Sequence, residues 1–282
     1  MQAAILYIQS ELQGLYPDTE IRSFTNLIIE KLTGFSRTEI IVNKNTLFSD
    51  DQRHTIENFI ENLKKFVPIQ YILGETEFFG LPFYVNESVL IPRPETEELV
   101  DWIRNENDRS ANLHMLDIGT GSGCIPISLK HEFPNATVDG FDISEQALET
   151  AKSNATLNKL KVTFSKVDIL NAPDFDKRWD IIISNPPYVT ELEKDEMQPN
   201  VLDHEPHLAL FVPDNDPLLF YRHIARFALK HLQANGKLYF EINRGFGQAC
   251  VELLTGLGFR DVELRKDISG NDRMIRAVVS EQ

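Results

Sequence analysis

Cysteine is nearly absent from this chain. Among 282 residues there are two, Cys124 and Cys250, far apart in sequence. That excludes a disulfide framework and points to a reducing compartment. No Cys/His cluster has metal-ligand spacing, and His204 and His207 lie in an acidic, proline-bearing loop, so no metal site is expected. Positive charge is also short. Against 43 Asp and Glu stand only 28 Lys and Arg, a net charge of −15. Nucleic-acid binders usually show a basic stripe. The longest basic cluster here, Lys64-Lys65, reads as a solvated helix face, so direct nucleic-acid binding is not expected. An acidic surface instead suits a basic protein partner. No apolar run is long enough to cross a bilayer, and the N-terminus lacks the basic region and cleavage site of a signal peptide. The expectation is a cytoplasmic, monomeric protein away from membranes.

What is present is ample apolar material, 42% of residues, enough for a sizeable core and two domains. Residues 1–67 carry three helical stripes. They are Ile5, Leu6, Ile8 and Leu12; Phe24, Leu27, Ile28 and Leu32, stopped by Gly34; and Ile56, Phe59, Ile60 and Leu63, opened by Ser49-Asp50-Asp51. From Tyr71 to Val85 aromatic and β-branched residues are dense and broken by Gly74, Gly80 and Pro82, which predicts a β-hairpin within a linker of residues 68–94. From residue 95 to 282 helix and strand patterns alternate, with strands near 113–118, 137–142, 161–165, 179–184, 237–242, 259–265 and 273–279. Such alternation implies an α/β, doubly wound, mostly parallel sheet. A long polar stretch before Asp216 has the length of a functional lid.

Two motifs carry chemistry. The buried run Trp179–Ser184 ends in Asn185-Pro186-Pro187-Tyr188. Neither proline can donate to a sheet ladder, so a rigid polar loop stands at a strand's carboxyl end, where open α/β sheets bind ligands. The Asn185 side-chain carbonyl and the backbone carbonyl of Pro186 together can accept both hydrogens of a planar –NH2, and Tyr188 adds a flat surface. A plain Asn-Pro turn is the competing reading. The second motif follows the strand Leu113–Ile118: Asp117, then Gly119-Thr120-Gly121-Ser122-Gly123, then an apolar helix beginning at Cys124. A glycine turn between strand and helix lets a ligand approach the backbone, although dinucleotide folds use a similar one. About twenty residues on, a strand ends in Asp142, followed by Ile143. A carboxylate there either accepts ribose hydroxyls or simply favours the next helix N-terminus. Val167-Asp168-Ile169 is the candidate border of an adenine ring.

In this order, the glycine loop, the ribose acid and Asn-Pro-Pro-Tyr resemble the S-adenosylmethionine-dependent methyltransferases. The segments Pro68–Gly74 and Val89–Glu97, with Glu205-Pro206-His207-Leu208-Ala209-Leu210 and Asp267–Arg273, narrow the resemblance to the HemK/PrmC family. It covers the chain from about residue 66 onward. The resemblance implies a seven-stranded Rossmann-like sheet with an antiparallel final hairpin, and an N-terminal helical bundle that docks substrate. It further implies S-adenosylmethionine as cofactor and a glutamine side-chain amide of peptide chain release factors as acceptor. Asp117, Gly119, Thr120, Gly121, Ser122, Gly123, Asp142, Ile143, Asp168, Ile169 and Asn185 are then the cofactor residues. Asn185, Pro186, Pro187, Tyr188, Arg93 and Glu95 are the substrate residues, with Asn185, Pro186 and Tyr188 carrying catalysis. Two departures are visible: Ile169 stands where relatives often have an aromatic residue, and Asp216-Pro217 replaces the more usual Asp-Gly. The rival readings are a methyltransferase acting on an amino group of a nucleic-acid base, which shares Asn-Pro-Pro-Tyr but needs phosphate-binding cations, and an inactive adaptor that keeps the fold.

Overall fold

The N-terminal apolar stripes close into helices whose ends are set by local chemistry. In the computed structural model, which describes residues 1–280, α1 spans Gln2–Leu12, α2 Asp18–Thr33, α3 Arg37–Val42, α4 Asp50–Leu63 and α5 Ile69–Leu73. Helix α2 stops because Gly34 takes a left-handed φ of 68° and its N–H returns to the Glu30 carbonyl. Helix α4 starts with a reciprocal Ser49–Gln52 capping box, a device worth about 1 kcal/mol. Ile8, Leu12, Phe24, Ile28, Ile56, Ile60 and Leu63 form the common core of these helices. Residues Met1–Gly74 and Gln198–His204 make one compact unit, and His204 Nε2 is hydrogen-bonded to the Lys65 carbonyl at 2.9 Å.

The predicted hairpin is shorter than its sequence signal. Tyr71–Leu73 is helical: the N–H groups of Tyr71 and Ile72 donate to the Pro68 carbonyl, and Gly74, φ 73°, ends the turn. A short apolar run does not distinguish helix from strand by periodicity. The strands are β1 (Glu75–Phe78) and β2 (Leu81–Tyr84), antiparallel to each other. Phe78 and Phe83 are buried in the core of the second unit, which comprises Glu75–Met197 and the chain from Glu205 onward.

That unit continues with α6 (Pro94–Glu106), β3 (His114–Ile118), α7 (Cys124–Glu132), β4 (Thr137–Asp142), α8 (Glu145–Leu157), β5 (Thr163–Lys166) and β6 (Trp179–Ser184). The long polar stretch then carries short elements: β7 (Val189–Thr190), α9 (Pro199–Leu202, in the first unit), α10 (His207–Leu210) and β8 (Phe211–Val212), with β7 and β8 paired in parallel. Next come α11 (Leu219–His231), β9 (Leu232–Glu241), α12 (Gly247–Gly256), β10 (Arg260–Lys266) and β11 (Asp272–Val278). The sheet order is β10-β11-β9-β6-β3-β4-β5. Only β11 runs against its neighbours, antiparallel to both β9 and β10.

Alternation along the strands builds two cores. Leu116, Ile182, Leu238 and Phe240 join Tyr221, Ile224 and Ala228 of α11 and Leu254 of α12 on one face. Met115, Ile181, Ile183 and Tyr239 join Leu99 and Ile103 of α6 and Ile125 and Leu129 of α7 on the other. Both faces are covered, so the central strands read as continuous apolar runs, and their carboxyl ends are left to form a site.

Candidate active site

β3, β4 and β6 end together. Ile118 pairs with Ser184 on one side and with Phe141 on the other. Ser184 Oγ donates to the Ile118 carbonyl at 2.6 Å. The N–H groups of Gly119 and Thr120 both donate to the Phe141 carbonyl, at 2.8 and 2.9 Å. The chain therefore turns sharply over β4, with Gly119, Gly121 and Gly123 at φ 77°, 52° and 79°. A side chain in that region costs about 1–2 kcal/mol. At Gly123 a Cβ would also come within 3.0 Å of Ile127 and 3.1 Å of Ala151, where the loop is pressed against α7 and α8.

Beyond these strand ends lies a cavity of about 420 Å³. Its lining includes Gly119, Thr120, Gly121 and Ser122 of the loop after β3, Asp142 and Ile143 at the end of β4, Asp168 and Ile169 after β5, Asn185, Pro186 and Pro187 after β6, and Arg93. An apolar section is added by Val167 and by Phe220 and Ile224 of α11. Four residues singled out from the sequence are not among those lining it: Asp117, Gly123, Tyr188 and Glu95.

The acids differ in environment. Asp142 accepts the Gly121 N–H on Oδ2 at 2.8 Å and the Ser144 N–H on Oδ1 at 2.9 Å. Ser144 in turn caps α8, its Oγ accepting the Ala147 N–H. Each carboxylate oxygen has two acceptor positions, so capacity remains toward the cavity. Burial raises the Asp142 carboxyl above its ordinary value. Asp117 is fully buried, and among the described residues neither of its oxygens has a hydrogen-bond partner. Burial, with the charge of Asp142 adding to it, pushes its carboxyl up to about 7. The Cys124 thiol is pushed up to about 12, chiefly by burial, which makes it a packing residue rather than a nucleophile.

Tyr188, which is not among the residues lining the cavity, is held by three hydrogen bonds. Its hydroxyl donates to Glu241 Oε1 at 3.2 Å, its N–H to the Leu210 carbonyl at 3.2 Å, and its carbonyl accepts Asn243 Nδ2 at 3.1 Å. Burial pushes the phenol well above the ordinary tyrosine range. Arg93 lines the cavity but its guanidinium is paired with buried Glu205, which also accepts the Ile91 N–H.

Comparison with known proteins fits this architecture. Residues 96–205 match the Methyltransferase small domain family and residues 3–74 the PrmC N-terminal domain family. A release factor glutamine methyltransferase of Flavobacterium psychrophilum is 52% identical over 94% of each chain. Those of Bacteroides thetaiotaomicron and Streptococcus pneumoniae are 48% and 38% identical, over 98% of this chain and 99% and 98% of theirs. The chain belongs to the release factor glutamine methyltransferase family. Among solved structures, a methyltransferase from Pyrococcus furiosus superposes with a TM-score of 0.53 at 16% identity, over 82% of this chain and 100% of that one. The human methyltransferase 10 domain containing protein gives 0.51 at 20% identity, over 72% and 90%. At such identities the likeness concerns the fold.

The sequence reading gave no role to Thr96 or Glu205, which lie in segments that carried the family resemblance, and it passed over Glu241 altogether. Thr96 Oγ1 donates to Glu241 Oε2 at 2.7 Å, and Asn185 Nδ2 donates to Thr96 Oγ1 at 3.3 Å. One signal was available for Glu241, a lone acid in the apolar run Leu238-Tyr239-Phe240-Glu241-Ile242. Such a residue at a strand's carboxyl end is costly to bury unless it is held. Among the described residues no helix is long and apolar enough to cross a membrane, and no group of His, Cys, Asp and Glu has the arrangement of a metal site.

The raised pKa of Asp117 generates a pH prediction. The folded chain keeps this proton while the unfolded chain releases it near its ordinary pKa of about 4. Its contribution therefore favours folding fully below that value and is lost as pH rises toward about 7. In Asp117→Asn without ligand, stability declines less between pH 4 and pH 7 than in the parent. Denaturant unfolding across that range measures it, and parallel curves would show that Asp117 is already ionised.

Proposed function

We infer that this chain transfers a methyl group from S-adenosylmethionine to the side-chain amide nitrogen of a glutamine in a peptide chain release factor. The observation that carries this reading is that Asn185 and Pro186 line the same cavity as the glycine loop, in a chain whose curated relatives are named release factor glutamine methyltransferases. The chemistry of the lining suits the cofactor. The glycine turn admits close approach, Asp142 keeps free acceptor positions for ribose hydroxyls, and Ile143, Ile169, Phe220 and Ile224 offer an apolar slot for adenine. An aromatic ring thus reaches the slot from α11 although position 169 is aliphatic. When bound, S-adenosylmethionine supplies an electrophilic methyl group on a sulfonium centre.

The residues of the chain supply position. An amide nitrogen is a weak nucleophile because its lone pair is delocalised into the carbonyl. Asn185 Oδ1 and the Pro186 carbonyl accept the two N–H groups of the acceptor amide and aim its out-of-plane lobe at the methyl carbon. As acceptors they also favour the positive charge that develops on nitrogen. No strong base is required first, since the alkylated amide loses its proton readily. Pro187 stiffens the loop, and Tyr188, tied to Glu241, anchors it. The helical unit of residues 1–74 contains no chemical motif and docks the protein substrate. A nucleic-acid substrate is disfavoured by the net charge of −15. Tritium transfer from labelled cofactor to an intact release factor, with the modified residue located by mass spectrometry, tests the reading. Transfer to DNA or RNA instead would replace it.

Three results are expected. Asp142→Ala weakens S-adenosylhomocysteine binding by about ten- to a hundred-fold in calorimetry, the cost of losing a charged hydrogen-bonding partner; unchanged affinity in a folded variant removes Asp142 from the ribose site. Asn185→Ala lowers single-turnover methylation by roughly a hundredfold or more with little change in melting temperature, whereas Asn185→Asp, which still accepts hydrogen bonds, loses less. A large fall in melting temperature with near-normal turnover would make Asn185 a turn residue only. A chain beginning at Glu75 binds S-adenosylhomocysteine as the full chain does but methylates an intact release factor poorly; full activity would refute the docking role.

A further inference from the structure

An asparagine amide has an acceptor end and a donor end of nearly equal size. Only one orientation of Asn185 leaves Oδ1 for an incoming –NH2, and the backbone of the Asn-Pro-Pro-Tyr loop does not choose between them. The choice falls to the chain of hydrogen bonds behind it. Asn185 Nδ2 meets Thr96 Oγ1 at 3.3 Å, and Thr96 Oγ1 meets Glu241 Oε2 at 2.7 Å. In the second of these bonds the Thr96 hydroxyl is the donor, so its single proton is committed to Glu241. The face of the hydroxyl toward Asn185 is then a lone pair, which accepts an N–H and repels Oδ1.

Burial makes this polarity binding. Thr96 is 3% exposed and Glu241 1%, so little water competes for either group. Burial raises the Glu241 carboxyl above its ordinary value, and its contacts with Thr96, Arg273 and Tyr188 offset only part of that rise. The register supplies the placement: Phe240 of β9 lies opposite Ser184, the last residue of β6, and the residues that follow them along the chain are Glu241 and Asn185. The second oxygen of Glu241 accepts the Tyr188 hydroxyl at 3.2 Å. One carboxylate thereby governs both ends of the tetrapeptide.

We propose that Thr96 and Glu241 are positioning residues for methyl transfer, holding the Asn185 amide with Nδ2 inward and Oδ1 presented to the acceptor amide. This rests on the reading of Asn185 as the residue that binds the acceptor –NH2. The full chain is tested as Thr96→Val, Thr96→Ser and Glu241→Gln, with three readouts: kcat on a release factor, affinity for S-adenosylhomocysteine, and the 15N–1H signal of the Asn185 side-chain amide, assigned by its loss in Asn185→Ala. Thr96→Val keeps the shape and removes the acceptor. It should lower kcat by about tenfold or more, change cofactor affinity by less than about threefold, and shift and deprotect the Asn185 amide signal. Thr96→Ser restores the hydroxyl and should recover kcat and the signal together. Glu241→Gln, which can donate to Thr96 as well as accept, should resemble Thr96→Val. In Asn185→Ala, adding Thr96→Val should cost no further activity, because the group it orients is gone. Independent, multiplying losses in that double variant, or an unmoved amide signal in Thr96→Val, would overturn the proposal. If the parent chain methylates no release factor, the functional reading fails while the amide signal still decides whether Thr96 orients Asn185.

Discussion

Ser184 lies opposite Ile118 in the parallel pairing of β6 with β3, and its hydroxyl closes on the Ile118 carbonyl at 2.6 Å. Everything at the site depends on that register. It makes the next residue on each strand a neighbour, so that a Cβ on Gly119 would stand 3.9 Å from the Asn185 carbonyl. Two motifs lying 66 residues apart along the chain, measured at that hydrogen bond, thus become adjoining parts of the lining of one cavity. Because side chains alternate with period two, a slip of one residue would turn Ser184 away and send the apolar set of β6 to the wrong core. The adjoining pair, β6 with β9, brings Glu241 alongside by the same logic.

The polar groups gathered there are mostly acceptors. Asp142, Asp168, the Asn185 carbonyl oxygen and the backbone carbonyls after the strands all offer lone pairs, and Glu241 stands behind Asn185 through Thr96. Such a lining welcomes N–H donors and positive charge and resists anions. Arg93, the nearby cation on the wall, is already paired with Glu205. An enzyme that must hold a planar –NH2 against a sulfonium has use for this bias, and one that must grip phosphates does not.

What could be read from the sequence was what is local. A buried strand followed by two prolines, or by alternate glycines, announces its own ending, so the loops after β3 and β6 and the acid at the end of β4 were legible from a few residues each. The helix at residues 69–73 was not, because Ile69-Gln70-Tyr71-Ile72-Leu73 is too short for its apolar residues to fix a period. Nor were β7, α9, α10 and β8, too short for any period to register. The role of Tyr188 depends on Glu241, 53 residues away; Thr96 reaches Glu241 over 145 residues, and Arg93 reaches Glu205 over 112. Such partners meet only after the sheet has brought them together. A charged residue inside the apolar run of β9 marked the position without naming its partner.

The antiparallel insertion of β11 between β9 and β10 has a consequence for the birth of the chain. During synthesis β10 emerges before β11, yet the strand that pairs with β9 is β11. Until residues 272–278 have left the ribosome, one flank of β9 presents a row of unpaired backbone groups beside Leu238, Tyr239 and Phe240, all fully buried in the finished fold. A half-made sheet of this kind is sticky. The nascent enzyme therefore passes through an interval in which chaperone cover, or rapid translation of some thirty residues, decides whether that edge meets its own strand or another molecule's.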